Sequence, residues 1–340
     1  MSIQFDKKRL PGLYKFKRDT IEICINFIRD VIKSSARPKA KIQQKIKDIE
    51  TDLYDIFCRW NFNAIKSGEF DYDVFLPTGT FINLFDLSYY LNRFNLNLEE
   101  SIIKFPFDQF NKIRQNAYAL NTTNEPIRAI TCSNIQDERL RTMYQGQDYQ
   151  EDKSRLLSRY YYLGGLNNSL STPPPVLSVY PSHELFGTPF NTCCKHYCSP
   201  FQDEAIFKSS GSFFEFTDYK EDIVYFANPP FDDLICTSMA ERLLDQLSKK
   251  AFTLIVIIPV WDNKQQEKYN LKNFGLPFRA YNDLVQSPYF KSETFLEKNK
   301  YPFFNYFYNK YVYISNIHLI NLGNTIDVNA LIDAWKDVKK

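Results

Sequence analysis

A strand, a helix and a second strand follow one another between residues 222 and 261, and this order constrains the fold more than any other feature of the sequence. Asp222 to Ala227 (DIVYFA) has the apolar character of a buried strand, and Phe231 to Lys250 places apolar residues at helical spacing. Thr253 to Trp261 (TLIVIIPVW) is apolar throughout, as in a strand buried on both faces. Strands joined through a helix lie parallel in one sheet. The sequence therefore predicts an α/β fold with an at least partly parallel sheet.

The two halves of the chain differ in composition, which predicts two domains. Apolar residues at the three-and-four spacing of amphipathic helices recur in the first half. They predict helices from Ile21, from Ile42, over about 107–120 and over about 148–163. The segment that begins at Gly164-Gly165 is polar and then proline-rich, so it cannot continue a helix. We therefore expect a mainly helical domain over residues 1–165 and an α/β domain over residues 166–340.

Two short apolar segments near the end of the chain predict how the sheet is completed. Tyr311 to Ile314 and Ile317 to Leu322 lie on either side of Ser315-Asn316. Apolar segments separated by a short polar turn are typical of a β-hairpin. We expect an antiparallel hairpin here that closes the sheet.

Charge and composition limit the classes of protein to which this chain can belong. Residues 1–50 contain 13 Lys and Arg against six Asp and Glu, although the whole chain has a net charge of only +2. Such a basic region suits contact with nucleic-acid phosphates, and it also suits a solvated helical face without a partner. The sequence predicts neither a membrane span nor a secretory signal. Seven cysteines without framework spacing fit a reducing compartment, so we expect an intracellular protein, nuclear or cytoplasmic.

The turn Asn228-Pro229-Pro230-Phe231 carries the chemistry that the sequence suggests. It follows directly on one predicted strand and leads into the helix, and ligands in open α/β sheets bind at such strand ends. The Asn228 side-chain oxygen and the Pro229 carbonyl can accept the two N–H bonds of an exocyclic amine, which localises its lone pair on nitrogen. Two prolines stiffen the turn, and the Phe231 ring can stack on a base. These residue types suit methyl transfer to the N6 amino group of adenine, a reaction that requires no metal.

The surrounding residues resemble a known enzyme family. The runs FGTPFNTCCKHYCSPFQDEAIFKSSGSFFEF (186–216), YFANPPFDDL (225–234) and LIVIIPVW (254–261) are similar to the cap-specific adenosine N6-methyltransferases, first named for binding the phosphorylated tail of RNA polymerase II. The resemblance is clear over about residues 155–325 and only architectural over residues 1–150. It implies a Rossmann-like methyltransferase core with a helical domain. It also implies methylation of the adenosine next to the 7-methylguanosine cap of mRNA, usually already 2′-O-methylated, which yields m6Am.

The resemblance also implies roles for individual residues. Asn228, Pro229, Pro230 and Phe231 match the catalytic tetrad. The residues matched to binding of the cofactor S-adenosyl-L-methionine are Thr188, Pro189, Phe190, Asn191, Gly211, Ser212 and Glu215, with Asn228 beside them. Glu215 is expected at a strand end, where an acidic residue binds ribose hydroxyls. The chain departs from the family in lacking a Trp-rich N-terminal module and in having Val260 where an acidic residue is often found.

Other residues are candidates for contact with RNA or metal. Arg139, Arg141, Arg155 and Arg159 suit phosphate contacts, and each also suits an ordinary ion pair. Trp261 follows a strand at the expected site and is also a candidate core residue. The cysteine- and histidine-containing segment 193–198 does not have the spacing of a closed zinc site, and we expect buried thiols, with Cys194 and Cys198 on a helix.

Several functions remain open from the sequence. The favoured one is N6-methylation of capped RNA. The same chemistry could act on DNA adenine, on uncapped RNA or on a glutamine side chain of a protein. A non-catalytic cap- or RNA-binding subunit with a methyltransferase-like core is the alternative outside enzymes, and any protein partner is unknown.

Overall fold

The computed structural model describes residues 131–162, 170–231, 233–261, 278–306 and 308–338, with isolated positions nearer the N-terminus. The contacts divide the chain into two compact units. The first comprises Met1–Thr131 and Glu151–Gly165, and the second comprises Cys132–Gln150 and Leu166–Lys340. Residues 132–150 thus group with the α/β half of the chain.

The first unit contains helical positions and a short strand pair. Residues 22–23, 26–27, 29–30, 108–109, 112 and 115 are helical, at two of the places where helices were expected. Phe70–Asp71 (β1) pairs antiparallel with Leu76–Pro77 (β2). The helix expected from Ile42 lies outside the described residues, so a mainly helical domain over residues 1–165 stays a prediction.

Two helices follow before the main sheet begins. Asn134–Met143 (α1) belongs to the second unit, and its N-terminus is capped by the Ser133 hydroxyl, which accepts from the Gln136 N–H at 3.3 Å. Tyr149–Tyr162 (α2) begins at the end of the second unit and continues into the first. This helix confirms the one expected over about 148–163.

The other elements of the second unit are strands and helices. In chain order they are Leu170–Ser171 (β3), Pro174–Leu177 (α3), Ser182–Glu184 (β4), His196–Tyr197 (β5), a 3-10 turn at Gln202–Phe207, Val224–Ala227 (β6), Asp233–Lys249 (α4), Thr253–Pro259 (β7), Arg279–Val285 (α5), Phe290–Leu296 (β8), Phe303–Asn305 (β9), Lys310–Val312 (β10), Ile317–Gly323 (β11) and Val328–Lys336 (α6).

Within the described residues, six strands form a mixed sheet in the order β5-β4-β6-β7-β11-β8. The first four strands are parallel to one another, and β11 lies antiparallel to both β7 and β8. The strand, helix and strand predicted between residues 222 and 261 are confirmed as β6, α4 and β7. The α/β class and the partly parallel sheet are therefore as expected.

Helices cover both faces of this sheet, which explains the uninterrupted apolar sequence of β7. All seven residues of the strand are buried. Leu254, Val256 and Ile258 pack with α4 and α5, whereas Ile255 and Ile257 pack with α3 and α6. Each such side chain contributes about 1.5–3 kcal/mol through burial. Because both faces of the strand are covered, the residues from Leu254 to Ile258 are all apolar.

The hairpin expected between Tyr311 and Leu322 is wrong. β10 instead pairs with β9, which pairs with β3 in a separate small sheet. β11 enters the main sheet between β7 and β8. The physical reason is burial: the first six residues of β11 are buried and require strand neighbours on both sides, while β10 is exposed or half-buried and suits the edge of a small sheet.

Candidate active site

The carboxyl ends of four parallel strands meet at one edge of the main sheet. β4 lies between β5, the next strand in the chain, and β6. The direction in which the chain adds strands therefore reverses between β4 and β6. Ligands of open α/β sheets bind in the crevice at such a reversal. The loops that follow β4 and β6 border this crevice.

The Asn228-Pro229-Pro230-Phe231 turn connects β6 to α4 at this edge. β6 is buried along its length and ends at Ala227, and α4 begins at Asp233. Pro229 is buried, Pro230 is exposed, and Phe231 is half-buried with its ring 6.0 Å from the Phe303 ring in an edge-to-face arrangement. The turn is thus held between a buried strand and a ring of the small sheet, in the position that the sequence predicted.

The side chain of Asn228 lies at the carboxyl end of β6 without a partner. It is 8% exposed, and no side chain or backbone group among the described residues hydrogen-bonds to its amide. Its amide atoms are not among the fully buried unpaired ones, so they keep access to the crevice and can hydrogen-bond a bound molecule. The Asn228 oxygen is available to accept from a bound molecule.

The loop after β4 is closed by its own hydrogen bonds. The Asn191 side-chain oxygen accepts from the Thr188 N–H at 2.6 Å and from the Thr188 hydroxyl at 3.0 Å. The Thr188 carbonyl accepts from the backbone N–H groups of Asn191 and Thr192, both at 3.1 Å. Pro189 is buried and the Phe190 ring is 1% exposed, so these residues anchor the loop in the protein. The loop is preorganised, and its polar side chains are largely engaged within it.

Gly187 allows this loop to lie against β5. A Cβ at this position would come within 3.1 Å of the Tyr197 side chain. The Gly187 N–H donates to the Cys198 carbonyl at 2.8 Å, and the Cys198 N–H donates to the Glu184 carbonyl at 2.8 Å. These bonds extend the β4–β5 pairing to the start of the loop and leave no space for a side chain there.

Gly211, Ser212 and Glu215 form a turn on the far side of β5. Gly211 has a φ of +83°, a conformation that favours glycine, and its carbonyl accepts from the Ser199 N–H at 2.9 Å. The Ser212 carbonyl accepts from the Glu215 N–H at 3.0 Å, and Glu215 is exposed. The strand end expected at Glu215 is replaced by an isolated bridge between Ser209 and Tyr197, several residues earlier. The ribose-binding role of Glu215 stays a prediction.

Trp261 lies two residues beyond the carboxyl end of β7. It is half-buried, and its ring is 5.2 Å from the Phe278 ring in an edge-to-face arrangement. It packs against the same hydrophobic cluster as α4 and α5. The residue therefore lies at the edge of the sheet that carries the candidate site and also supports the core.

The four candidate arginines have protein partners of different kinds. The Arg139 guanidinium donates to the Thr192 carbonyl and lies 4.3 Å from the centre of the Tyr306 ring. Arg141 is paired with Asp137 at 2.9 Å and lies over the Tyr149 ring. Both belong to α1 in the second unit, and their predicted contacts with RNA stay predictions.

The other two arginines lie on α2 in the first unit. The Arg155 guanidinium is within 3.8 Å of Glu151 and 3.5 Å of Asp152, one turn earlier on the helix. Arg159 is 3% exposed. A cation that is this buried normally has protein partners, so Arg159 is less suited to an RNA contact than a surface arginine. Roles for both in RNA binding stay predictions.

Comparison with protein families identifies the relatives of this chain. A family model described as the phosphorylated CTD interacting factor 1 WW domain matches residues 139–305. Over these residues the chain is similar to this family. None of the curated proteins compared with the chain matches it. The family match confirms the resemblance found in the sequence.

The segment matched to the phosphorylated CTD interacting factor 1 family contains every site residue proposed from the sequence, from Arg139 to Trp261. It includes β3 to β9 and therefore both loops that border the crevice. Among the described residues, no helix is long and apolar enough to cross a membrane. The described part of the chain also has no group of three or more His, Cys, Asp or Glu side chains arranged to hold a metal ion.

Sequence reasoning missed Glu184, the last residue of β4. It is 1% exposed, and its Oε1 accepts from the Ser171 hydroxyl at 2.8 Å. Burial, and then the nearby Cys193 thiol, raise the pKa of this carboxyl to about 8, although hydrogen bonds and Arg139 oppose the rise. The carboxyl is therefore mostly protonated at neutral pH. The available signal was an acidic residue shortly before the loop that the resemblance matches to cofactor binding.

The cysteine-containing segment differs from its prediction. Cys194 and Cys198 were expected one turn apart on a helix, but residues between them form a turn followed by β5. This short strand is stabilised by the parallel pairing of His196 and Tyr197 with β4. The local sequence has no pattern that predicts it. Cys194 and Cys198 are buried as expected, whereas Cys193 is exposed.

Proposed function

We propose that the chain is an S-adenosyl-L-methionine-dependent N6-adenine methyltransferase that acts on the cap-adjacent adenosine of 7-methylguanosine-capped mRNA. The observation that carries this proposal is the Asn228 side chain at the point where the strand order reverses, whose amide has no hydrogen-bond partner among the described residues. It begins an Asn-Pro-Pro-Phe turn between a buried strand and a helix, in a segment matched to the phosphorylated CTD interacting factor 1 family.

The sheet supports a Rossmann-like methyltransferase core. Its four parallel strands have the reversal of order at which doubly wound folds bind nucleotides. β11, which is antiparallel to both of its neighbours, and β8 extend the sheet away from the crevice.

The residues at the crevice fit S-adenosyl-L-methionine. The closed Thr188–Asn191 loop presents a preformed backbone at the end of β4, where the cofactor would be held with help from the Gly211-Ser212 turn and Glu215. The unpartnered Asn228 amide is a polar group of the kind that such a ligand satisfies. When bound, this cofactor supplies a methyl group that is electrophilic because it is attached to a positively charged sulfur.

The chain's own residues activate and orient the adenine. The Asn228 Oδ1 and the Pro229 carbonyl accept the two N–H bonds of the amino group, which concentrates its lone pair on N6. These contacts present the N6 lone pair to the methyl group that bound S-adenosyl-L-methionine would supply, and the electron pair of the methyl–sulfur bond would stay on sulfur. N6 afterwards loses one proton to water, so a strong general base is not needed. Preorganised acceptors on a proline-stiffened turn supply much of the rate because they need not reorient.

The substrate part of the proposal depends on the family resemblance. Basic residues near the N-terminus favour a nucleic acid over a protein glutamine. The resemblance favours capped mRNA over DNA or uncapped RNA.

The test is methyl transfer from labelled S-adenosyl-L-methionine to matched RNAs that begin with adenosine, with and without a 7-methylguanosine cap, followed by nucleoside analysis. We expect N6-methylation of the first adenosine only in the capped RNA. Equal labelling of uncapped RNA or of DNA would retain the chemistry and reject cap specificity. Absence of labelling, combined with binding of capped RNA, would favour the non-catalytic binding subunit instead.

A further inference from the structure

One arginine that the sequence suggested as an RNA contact holds the cofactor loop instead. We infer that Arg139 is a positioning residue, which fixes the end of the Thr188–Thr192 loop from outside and thereby sets the affinity for S-adenosyl-L-methionine. This inference rests on the proposed function for its ligand, and its structural part can be tested without any ligand.

The guanidinium of Arg139 is held on two sides. One of its N–H groups donates to the Thr192 carbonyl, and its Cζ lies 4.3 Å from the centre of the Tyr306 ring. Tyr306 is 8% exposed, and its carbonyl accepts from the Gln136 side chain at 2.8 Å. Gln136 lies one turn before Arg139 on α1, so the helix and the ring are fixed to each other before the arginine reaches the loop.

Thr192 is the point where this contact reaches the loop. The residue is fully buried, and its N–H donates to the Thr188 carbonyl at 3.1 Å, which closes the loop on itself. Its hydroxyl accepts from the Cys194 N–H at 3.1 Å. A carbonyl that accepts from a charged guanidinium forms one of the stronger hydrogen bonds in proteins. Arg139 therefore stabilises the conformation that the loop's internal bonds define.

The contrast with Arg141 supports this assignment. Arg141 lies two residues further along α1, is 53% exposed and is paired with Asp137. An exposed pair of this kind is weakly held, so its guanidinium can exchange the carboxylate for an RNA phosphate. Both guanidinium groups lie 4.3 Å from the centre of a tyrosine ring, so the difference is the other partner: Arg139 would have to leave the carbonyl of the buried Thr192.

The test compares Arg139→Gln with Arg139→Lys and with Arg279→Gln as a matched control. Arg279 lies on α5, is 63% exposed and is paired with Glu241, so the control removes the same chemical group away from the loop. The first measurement is backbone amide exchange of residues 188–192 in the ligand-free protein. We expect exchange at least about tenfold faster in Arg139→Gln, and unchanged exchange in Arg279→Gln. Lysine retains the positive charge and can still donate to a carbonyl, but it lacks the planar guanidinium group. Arg139→Lys should therefore recover part of the protection from amide exchange.

The second measurement is the Kd for S-adenosyl-L-methionine by calorimetry, together with the salt dependence of capped-RNA binding. Arg139→Gln should weaken cofactor binding by about tenfold and leave the slope of RNA affinity against salt unchanged. Unchanged amide exchange, or an unchanged cofactor Kd, would overturn the inference. A salt slope lower by about one would also overturn it, because that is the signature of a lost phosphate contact. If the wild-type protein bound no S-adenosyl-L-methionine, the proposed function would fail, and the exchange rates alone would still decide whether Arg139 holds the loop.

Discussion

Replacing Glu184 by glutamine should change how the stability of this protein depends on pH. The folded carboxyl has a pKa of about 8, whereas its ordinary value is 4.5. Between these two pH values the folded protein retains a proton that the unfolded chain has released. Stability must therefore fall as pH rises through this window, opposite to the usual behaviour of a carboxyl in an ion pair.

The magnitude follows from the two pKa values. Each pKa unit corresponds to about 1.4 kcal/mol of unfolding free energy. The raised pKa of Glu184 should therefore lower the free energy of unfolding by up to about 5 kcal/mol at pH 8, relative to a pH below both values. Glutamine has nearly the shape of the protonated acid, and its oxygen can still accept from the Ser171 hydroxyl, which donates to Glu184 at 2.8 Å. Glu184→Gln removes the titrating proton and so should remove this contribution to the pH dependence.

The assay is urea unfolding of both proteins at pH values from 5 to 9. We expect similar stabilities at pH 5 and a difference that grows toward pH 8, with the variant more stable, and that stays constant above it. Glu221→Gln serves as a control because Glu221 is exposed, and its curve should run parallel to that of the wild type. A difference between wild type and Glu184→Gln that is constant from pH 5 to 9 would refute the assignment of a buried, protonated carboxyl.

Three further predictions concern the candidate site and the sheet. Asn228→Ala should abolish methyl transfer while S-adenosyl-L-methionine still binds, as labelled-methyl transfer and calorimetry would show; retained transfer would reject its role as an acceptor. Phe231→Ala should remove a base stack worth about 1–3 kcal/mol and lower kcat/KM for capped RNA roughly 5- to 150-fold, and an unchanged kcat/KM would mean that another ring holds the base. Gly323→Ala should lower the free energy of unfolding by more than about 2 kcal/mol, because Gly323 has a φ of +77° and a Cβ there would strike the Phe252 carbonyl. Gly211→Ala, also at positive φ but in open space, should cost only about 1 kcal/mol; equal losses in urea unfolding would contradict this.

Elements whose signal is local could be predicted from the sequence. β6, α4 and β7 are recognisable because strand and helix periodicities are properties of neighbouring residues, and the long apolar run of β7 requires burial on both faces. The turn from Asn228 to Phe231 was recognised for the same reason, since it separates two such elements. The sequence does not predict that this turn lies where the strand order reverses, because that depends on the pairing of β4 with β6.

Features that depend on distant residues could not be predicted in this way. β10 and β11 are only a few residues apart, yet they join different sheets because β11 is buried between β7 and β8. The sequence predicts a helix where the two-residue strand β5 lies, because the pairing of β5 with β4 leaves no pattern in its own sequence.

The sequence by itself determined the α/β class, the strand-helix-strand unit and the residue types of the candidate catalytic turn, because each of these depends on residues that are neighbours in the chain. The tertiary structure alone decided which charged groups face solvent. Arg139 contacts the Thr192 carbonyl and the Tyr306 ring, and Glu184 is a buried carboxyl with a raised pKa that accepts from Ser171. A side chain's charge state and partners depend on the dielectric and the donors that surround it, and folding brings those from distant parts of the chain.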